Sequence, residues 1–303
     1  MLRKMKKYMF NRKYRFAVNS DIFHLYDMLS DKEYIKRKYN SVFAKGIDFK
    51  QVSTFNEKLQ FLKLYDRNEQ YTIMADKYEA KKMVAKIIGS EHIIPTIGVW
   101  DDPEGIDFGS LPNRFVLKCN HNSGLGMCIC KDKQTLDTDK VKKDLKRGLR
   151  QNYYLNGREW PYKNIKRKII AEDFLSDESG QLIDYKVHCF NGDPRFILVC
   201  KDRFKKTGLT EDFFSTKWEH LDVKRPDIPN STEVIPKPDE LEEILEFSKK
   251  LSDGIPFVRT DFYIVNHHVY FSELTFFPAS GFALFEPDEW DYIFGNYLKL
   301  PIE

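Results

Sequence analysis

The chain has 303 residues, 42% apolar and 31% charged, which excludes a disordered or fibrous protein and leaves room for two or three subdomains. No apolar run approaches the roughly 20 residues that span a bilayer, and the basic start is not followed by the apolar stretch of a secretory signal. The net charge is only +3 and no nucleic-acid recognition module or basic-aromatic ladder is present, so nucleic acid is not expected as a partner.

Arg3, Lys4, Lys6, Lys7, Arg12, Lys13 and Arg15 crowd the first fifteen residues without one acid. They suit a solvated helix face, or contact with anionic lipid headgroups or an acidic polymer. From Asp21 to about Tyr71 the pattern is helical: Ile22, Leu25, Tyr26 and Leu29 share one face, and Phe55, Leu59, Leu62 and Leu64 mark another. A helix is expected from Asp76, as N-cap, to Gly89. His92–Trp100 and Phe115–Cys119 read as strands around a Gly- and Pro-containing loop, and a basic helix follows over Asp139–Asn152. Strands return at Lys168–Phe174, Asp184–Asn191 and Arg195–Cys200, the last two joined by the turn Asn191-Gly192-Asp193-Pro194. Arg203 to about Pro236 is polar and irregular, long enough to be a functional loop or lid. A helix over Pro238–Ser252 precedes the last hairpin. The layout is α+β, helices first and antiparallel strands later. Five cysteines (119, 128, 130, 189 and 200) sit in apolar runs without a metal-type spacing, so reduced core thiols in a cytoplasmic protein are expected.

The richest stretch runs from Val258 to Phe276. Folding it about His267 sets Asp261 opposite Glu273, with Arg259 and Thr275 on the same face. The other face, Val258, Thr260, Phe262, Ile264, Tyr270, Ser272, Leu274 and Phe276, suits a core. Two facing carboxylates repel unless a cation lies between them, and hard oxygen donors of this kind suit Mg²⁺ shared with phosphates. A turn one residue shorter or longer separates the pair. Upstream, a strand ends in Lys118 and runs into Asn120-His121-Asn122-Ser123-Gly124-Leu125-Gly126, a cation beside backbone N–H groups that could converge on an anion. An ordinary hairpin loop with an exposed lysine reads the same way. Glu172 at the end of its strand could meet a purine edge, while Asp184 and Lys186 on one strand face suit a ribose and a phosphate. Either segment alone also fits a polar sheet face covered by water. His121 and His188 are expected to make structural hydrogen bonds, and His267 and His268 to lie exposed at the turn.

Taken together, the order of lysine with Gly-rich loop, strand Glu, Asp-x-Lys, Arg-x-Asp and Glu-x-Thr resembles the nucleotide site of the ATP-grasp superfamily. The segments Ser53–Gln60, Ala75–Tyr78, Phe115–Gly124, Ile170–Leu175, Asp184–Gly192 and Arg259–Gly281 resemble its teichuronopeptide-biosynthesis (TupA-like) branch. The resemblance implies an ATP-grasp fold with the nucleotide between two α+β subdomains: a helical region at 1–75, N-terminal and central subdomains at 76–175, and a C-terminal subdomain at 176–303. It implies ATP and Mg²⁺ as cofactors. Lys118 and Asn122, Ser123, Gly124 and Gly126 would serve the phosphates, Glu172 and Leu175 the adenine, Asp184 the ribose, and Lys186 the nucleotide again. Asp261, Glu273 and Thr275 would hold metal, Thr275 standing where many relatives carry Asn. Arg259 would face the γ-phosphate and a developing acyl phosphate, with Lys186 beside it. The implied reaction joins a carboxylate-bearing sugar or peptide to an amine, within a bacterial surface polysaccharide or its precursor. A location in the cytoplasm, with peripheral contact to the inner face of the membrane or a lipid-linked glycan, goes with it. Phosphorylation of a sugar hydroxyl, glycosyl transfer and non-catalytic assembly are the rival readings.

Overall fold

The computed structural model describes residues 2–176, 182–203 and 208–301, with side chains from residue 4 onward. Two antiparallel sheets face one another across a cleft, with helices packed outside them. The first sheet has the order β1-β4-β2-β3, built from β1 (Thr96–Trp100), β2 (Phe115–Cys119), β3 (Met127–Cys130) and β4 (Ile169–Asp173). The second has the order β7-β6-β5-β8-β9, from β5 (Asp184–Phe190), β6 (Asp193–Lys201), β7 (Thr210–Ser215), β8 (Phe257–Val265) and β9 (His268–Thr275). The β5–β6 turn follows its sequence: Asn191 and Gly192 take φ of 51° and 85°, the left-handed pair that joins twisted strands tightly.

Helices α1 (Leu2–Phe10), α2 (Arg12–Ala17) and α3 (Asp31–Phe43) form the N-terminal region around Phe16, Tyr34, Ile35 and Tyr39. Helix α4 (Phe55–Tyr65) starts with a capping box. Thr54 accepts from the Glu57 N–H at 3.2 Å, and the Glu57 carboxylate accepts from the Thr54 N–H at 3.1 Å. Such a cap is worth about 1 kcal/mol. Although early in the chain, α4 packs into the core of the second sheet, Phe55 lying 5.0–6.4 Å from the rings of Phe190, Phe257 and Phe294. Its other buried stripe is polar. Asn56 exchanges two hydrogen bonds with the Ala283 backbone, and Gln60 and Lys63 donate to carbonyls of Ser280 and Gly281 or Gly157. Helices α5 (Gln70–Ala75) and α6 (Glu79–Ile88) lead into the first sheet. Helix α7 (Thr138–Arg150) covers that sheet with Val141 and Leu145, α8 (Tyr154–Gly157) is one short turn, and α9 (Leu241–Leu251) and α10 (Glu289–Tyr297) cover the second sheet.

Four expectations change. Residues 23–30 are turns, with His24 at φ 53° and Ile22 and Leu25 exposed; the start signal is Ser30, which caps α3 by accepting from the Glu33 N–H. The segment before Thr96 is not strand, because Pro95 offers no N–H to a ladder. It leans instead on the second sheet, His92 bonding the Val269 carbonyl at 2.9 Å. The polar stretch after Arg203 contains an edge strand, β7, whose acids are buried and bonded: Asp212 pairs with His220 and accepts from the Ser231 N–H. That hydrogen bonding hides a strand inside a loop-like composition; residues 204–207 of the stretch lie outside the described ones. Finally, the core row of the last hairpin switches parity part-way. Val269 and Phe271 are buried where Tyr270 and Ser272 were expected, while Leu274 and Phe276 keep their place.

Candidate active site

The parity switch comes from a β-bulge, and the bulge sets the site. Asn266 and His267 form a two-residue turn with left-handed φ, pairing Val265 with His268 and Phe262 with Phe271. In that register Asp261 would oppose Ser272. One extra residue on β9 restores the pairing of Asp261 with Glu273 and of Arg259 with Thr275. The turn is thus one residue tighter than expected, and the bulge compensates.

Two rows of side chains then cross three strands. Lys186 of β5 is paired with Asp261 of β8, and Asp261 with Glu273 of β9; one step along, His188, Arg259 and Thr275 line up. Asp261 is fully buried and accepts three short bonds, from Arg259 Nε and Nη2 and from Lys186 Nζ, each at 2.6 Å. Arg259 also donates to the Thr275 hydroxyl at 3.1 Å and reaches Glu273 at 3.6 Å. Burial pulls the Lys186 ammonium down, but Asp261 together with Asp184 outweighs it and holds the lysine above its ordinary value. Burial pushes the Glu273 carboxyl up, and Lys77, Lys186, Arg259 and Lys118 together drive it well below the carboxylate range. Asp184 stands at the outer end of β5 with Arg203 at 3.2 Å and Lys186 at 3.7 Å.

The opposite wall comes from the first sheet. Glu172 lies across from Val116, which puts Lys118, two residues on, diagonal to it on the same face. Lys118 meets one Glu172 oxygen at 2.5 Å and Lys81 of α6 meets the other. These two ammoniums outweigh the burial that raises the Glu172 carboxyl, and keep it below its ordinary value. Lys77 ties the walls together: its ammonium lies 3.2 Å from Glu273 and donates to the Asn122 carbonyl at 2.9 Å. The Gly-rich turn is anchored at its base, where Asn120 binds Asp76 and the backbone of Lys166 and Lys168. Asn122 is buried against Gln151. Its tip is open: Ser123 is exposed, and Gly124, at φ 78°, has nothing within 4 Å of where a Cβ would stand. Gly126 is buried instead, 2.9 Å from the Gly148 backbone by the same measure, and packs the turn on α7. Leu175 is half-buried just beyond β4.

A cavity of about 310 Å³ opens beside this cluster. Arg259, Glu273 and Thr275 form one side, and Lys38, Tyr153 and Tyr162 another. Pro278, Ala279 and Ser280 of the turn Pro278–Gly281 line it as well, Ala279 and Ser280 holding left-handed φ of 47° and 55°. Lys63 and Gln60 of α4 fix that turn by binding its carbonyls. Burial lowers the Lys63 ammonium and raises the neighbouring Glu159 carboxyl. His121 and His188 make hydrogen bonds to the Gln151 and Lys186 carbonyls, as expected, and all five cysteines are free. His267 is exposed, whereas His268 stacks on His92.

The sequence reading assigned no site role to Lys77, Lys81, Arg203 or the cavity wall at Lys38, Tyr153 and Tyr162. For the first two a signal existed. Lys77 lies in the turn just before α6 and Lys81 in its first turn, four residues on, and Lys81 is buried. Six cations (Lys77, Lys81, Lys118, Lys186, Arg203 and Arg259) face four acids (Glu172, Asp184, Asp261 and Glu273), a surplus suited to a polyanion.

Two sheets clasping a cation-rich cleft, with facing acids on the last hairpin, define an ATP-grasp protein. The chain belongs to the TupA-like ATP-grasp family, whose model matches residues 57–299. Among solved structures it is similar to D-alanine–D-alanine ligase from Helicobacter pylori, at 18% identity over 82% of this chain and 70% of that one, TM-score 0.43. It is similar also to D-alanine–D-alanine ligase from Bacillus anthracis complexed with ATP, at 16% over 74% of this chain and 58% of that one, TM-score 0.42. The ATP-grasp ligase PsnB, complexed with a phosphomimetic precursor variant, Mg and ADP, matches at 10% over 89% of this chain and 68% of that one, TM-score 0.43. The chain spans less than two thirds of the Bacillus enzyme's length. No curated protein matches the sequence.

Proposed function

We propose that the protein is an ATP-dependent carboxylate–amine ligase acting through an acyl phosphate, with the nucleotide between residues 76–175 and 176–303. The observation that carries this reading is the convergence of Lys77, Lys118, Lys186 and Arg259 on Glu273 beside a cavity that could take the acceptor. In this reading Lys118, steadied by Glu172, meets the α- and β-phosphates, and Lys77 and the open tip of the turn at Ser123 and Gly124 close over them. Glu172 and Leu175 border the adenine, and Asp184 the ribose. Arg259, pinned by Asp261, is pre-aimed at the transferring phosphoryl group, so little reorganisation is needed as charge develops. The same turn keeps water from the acyl phosphate.

Glu273, partly exposed, and the Thr275 hydroxyl are donors that fit Mg²⁺, whereas Asp261, fully buried and bonded to Arg259 and Lys186, would serve the metal from behind by holding Arg259 in place. When bound, the metal would neutralise phosphate charge and align the transferring group. Lys38 with Tyr153 and Tyr162 supports an anionic, hydroxyl-bearing acceptor, which we assign as a carboxylate-bearing sugar or peptide of a bacterial surface polysaccharide or its precursor. The test is ADP release from ATP in a screen of uronic acids and amino acids paired with amines, with mass spectrometry of the product. Turnover should require both a carboxylate and an amine, and Lys118→Ala and Glu273→Ala should abolish it in folded protein. Phosphate transferred stably to a hydroxyl would make the protein a kinase and refute the ligase assignment.

A further inference from the structure

The N-terminal region carries a surface that the cleft does not use. On α1, Met5, Met9 and Phe10 are exposed, Phe10 at 82%. Beyond α2, Ile22, Phe23, Leu25 and Met28 are exposed as well, Met28 at 97%. Half of the large apolar side chains found exposed among the described residues thus lie between residues 5 and 28. One side chain links the two groups: Asn19 accepts from the Tyr8 hydroxyl of α1 at 2.7 Å and donates to the Tyr26 hydroxyl at 3.2 Å. A soluble monomer rarely leaves so much apolar surface together.

Beside these side chains lies an open cavity of about 690 Å³ between α2 and α3. Arg12, Arg15, Lys36 and Arg37 line it with Asn19 and Asn40, and no carboxylate does. Lys4, Lys6 and Lys7 add charge nearby; Lys13 lies 3.8 Å from Asp227 and Lys36 3.8 Å from Glu33, Asp21 is exposed and Asp27 is held by His24 at 3.1 Å, so cations still outnumber acids on this face. Apolar side chains next to a cationic recess match a surface that is apolar inside and anionic at its rim. A second copy of the chain would bring the same cations against each other, and so is disfavoured.

We infer that this face docks on an anionic lipid bilayer, with the exposed apolar side chains entering the acyl boundary and the cavity between α2 and α3 receiving a lipid phosphate. The experiment is flotation of the full chain with phosphatidylglycerol–phosphatidylcholine vesicles and with phosphatidylcholine alone, at low and raised salt. Binding should need the anionic lipid and weaken with salt. Phe10→Ser with Met28→Ser should reduce partitioning by about tenfold, and Arg12→Glu with Lys36→Glu by at least as much. Thermal unfolding of each variant reports whether it is folded; because Met28 packs on nothing, Met28→Ser alone supplies a fold-neutral control that must still weaken binding. Equal binding to both vesicle types, or none, overturns the inference. So does inorganic phosphate binding in the cavity without vesicle binding, and so does dimerisation that Phe10→Ser abolishes.

Discussion

Asp261→Asn is the sharpest probe of the hairpin. Asp261 is fully buried and takes three bonds of 2.6 Å from two cations, so the substitution leaves Arg259 and Lys186 buried beside a neutral amide. The Asn oxygen can keep one or two of those bonds, while its NH₂ group must face a cation. A charge-assisted bond is worth about 1.5–3 kcal/mol, and removing one partner of a buried ion pair costs about 3–5 kcal/mol. A loss near 3 kcal/mol is expected, lowering Tm by roughly 5 °C for a chain of this size. Urea denaturation, with an unchanged m-value, measures it. Glu273→Gln is the internal comparison. Its side chain is 31% exposed and its cations stand farther off, at 3.2 and 3.6 Å, so it should cost less than Asp261→Asn. If Asp261→Asn stays within about 1 kcal/mol of the parent, or if the two substitutions cost the same, Asp261 is not the counter-charge that orders Arg259.

Acid should destabilise the fold in a window that begins well above the carboxylates. Burial depresses His121 to about 4, and burial with Arg259 nearby depresses His188 far below its ordinary value. Both are neutral when folded, so the unfolded chain binds more protons once pH falls below about 6.5. Their contribution is whole above that pH and is lost as pH drops towards the folded value. For His121 the loss approaches about 3 kcal/mol near pH 4. His121→Gln should flatten this part of a pH series of denaturation midpoints; an unchanged slope would refute the assignment. Gly295→Ala should destabilise by about 1–3 kcal/mol, since its Cβ would sit 2.3 Å from the Ser53 carbonyl oxygen and 2.8 Å from the Phe55 nitrogen at the start of α4. A thermal midpoint equal to the parent's would show that α10 can shift freely.

Much of the cleft is written in strand alternation. Asp184 with Lys186 and Arg259 with Asp261 repeat at two-residue spacing, and an Asn-Gly turn marks the β5–β6 hairpin, so their faces follow from local rules alone. The bulge on β9 is different. Nothing in Tyr270-Phe271-Ser272-Glu273 announces an extra residue, and two offsets, a tighter turn and a bulge, cancelled to give the right pairing. Lys77 and Lys81 escaped because a lysine in a turn or a helix is normally solvent-facing; here they meet Glu273 and Glu172, which are about 90 or more positions away. Strand β7 escaped because Asp212 is polar by type yet satisfied by His220 and Ser231 in the fold, while Glu211 is buried 3.9 Å from Arg225.

Helix α4 carries a consequence for the order in which the molecule is made. Its buried Asn56, Gln60 and Lys63 find their acceptors between residues 157 and 283, so the helix leaves the ribosome more than two hundred residues ahead of Ala283. Until then the stripe must remain hydrated, and its aromatic side must wait for strands not yet synthesised. Closure by such distant contacts slows folding, and a nascent chain stalled before the last hairpin exposes both faces of α4 to chaperones and proteases.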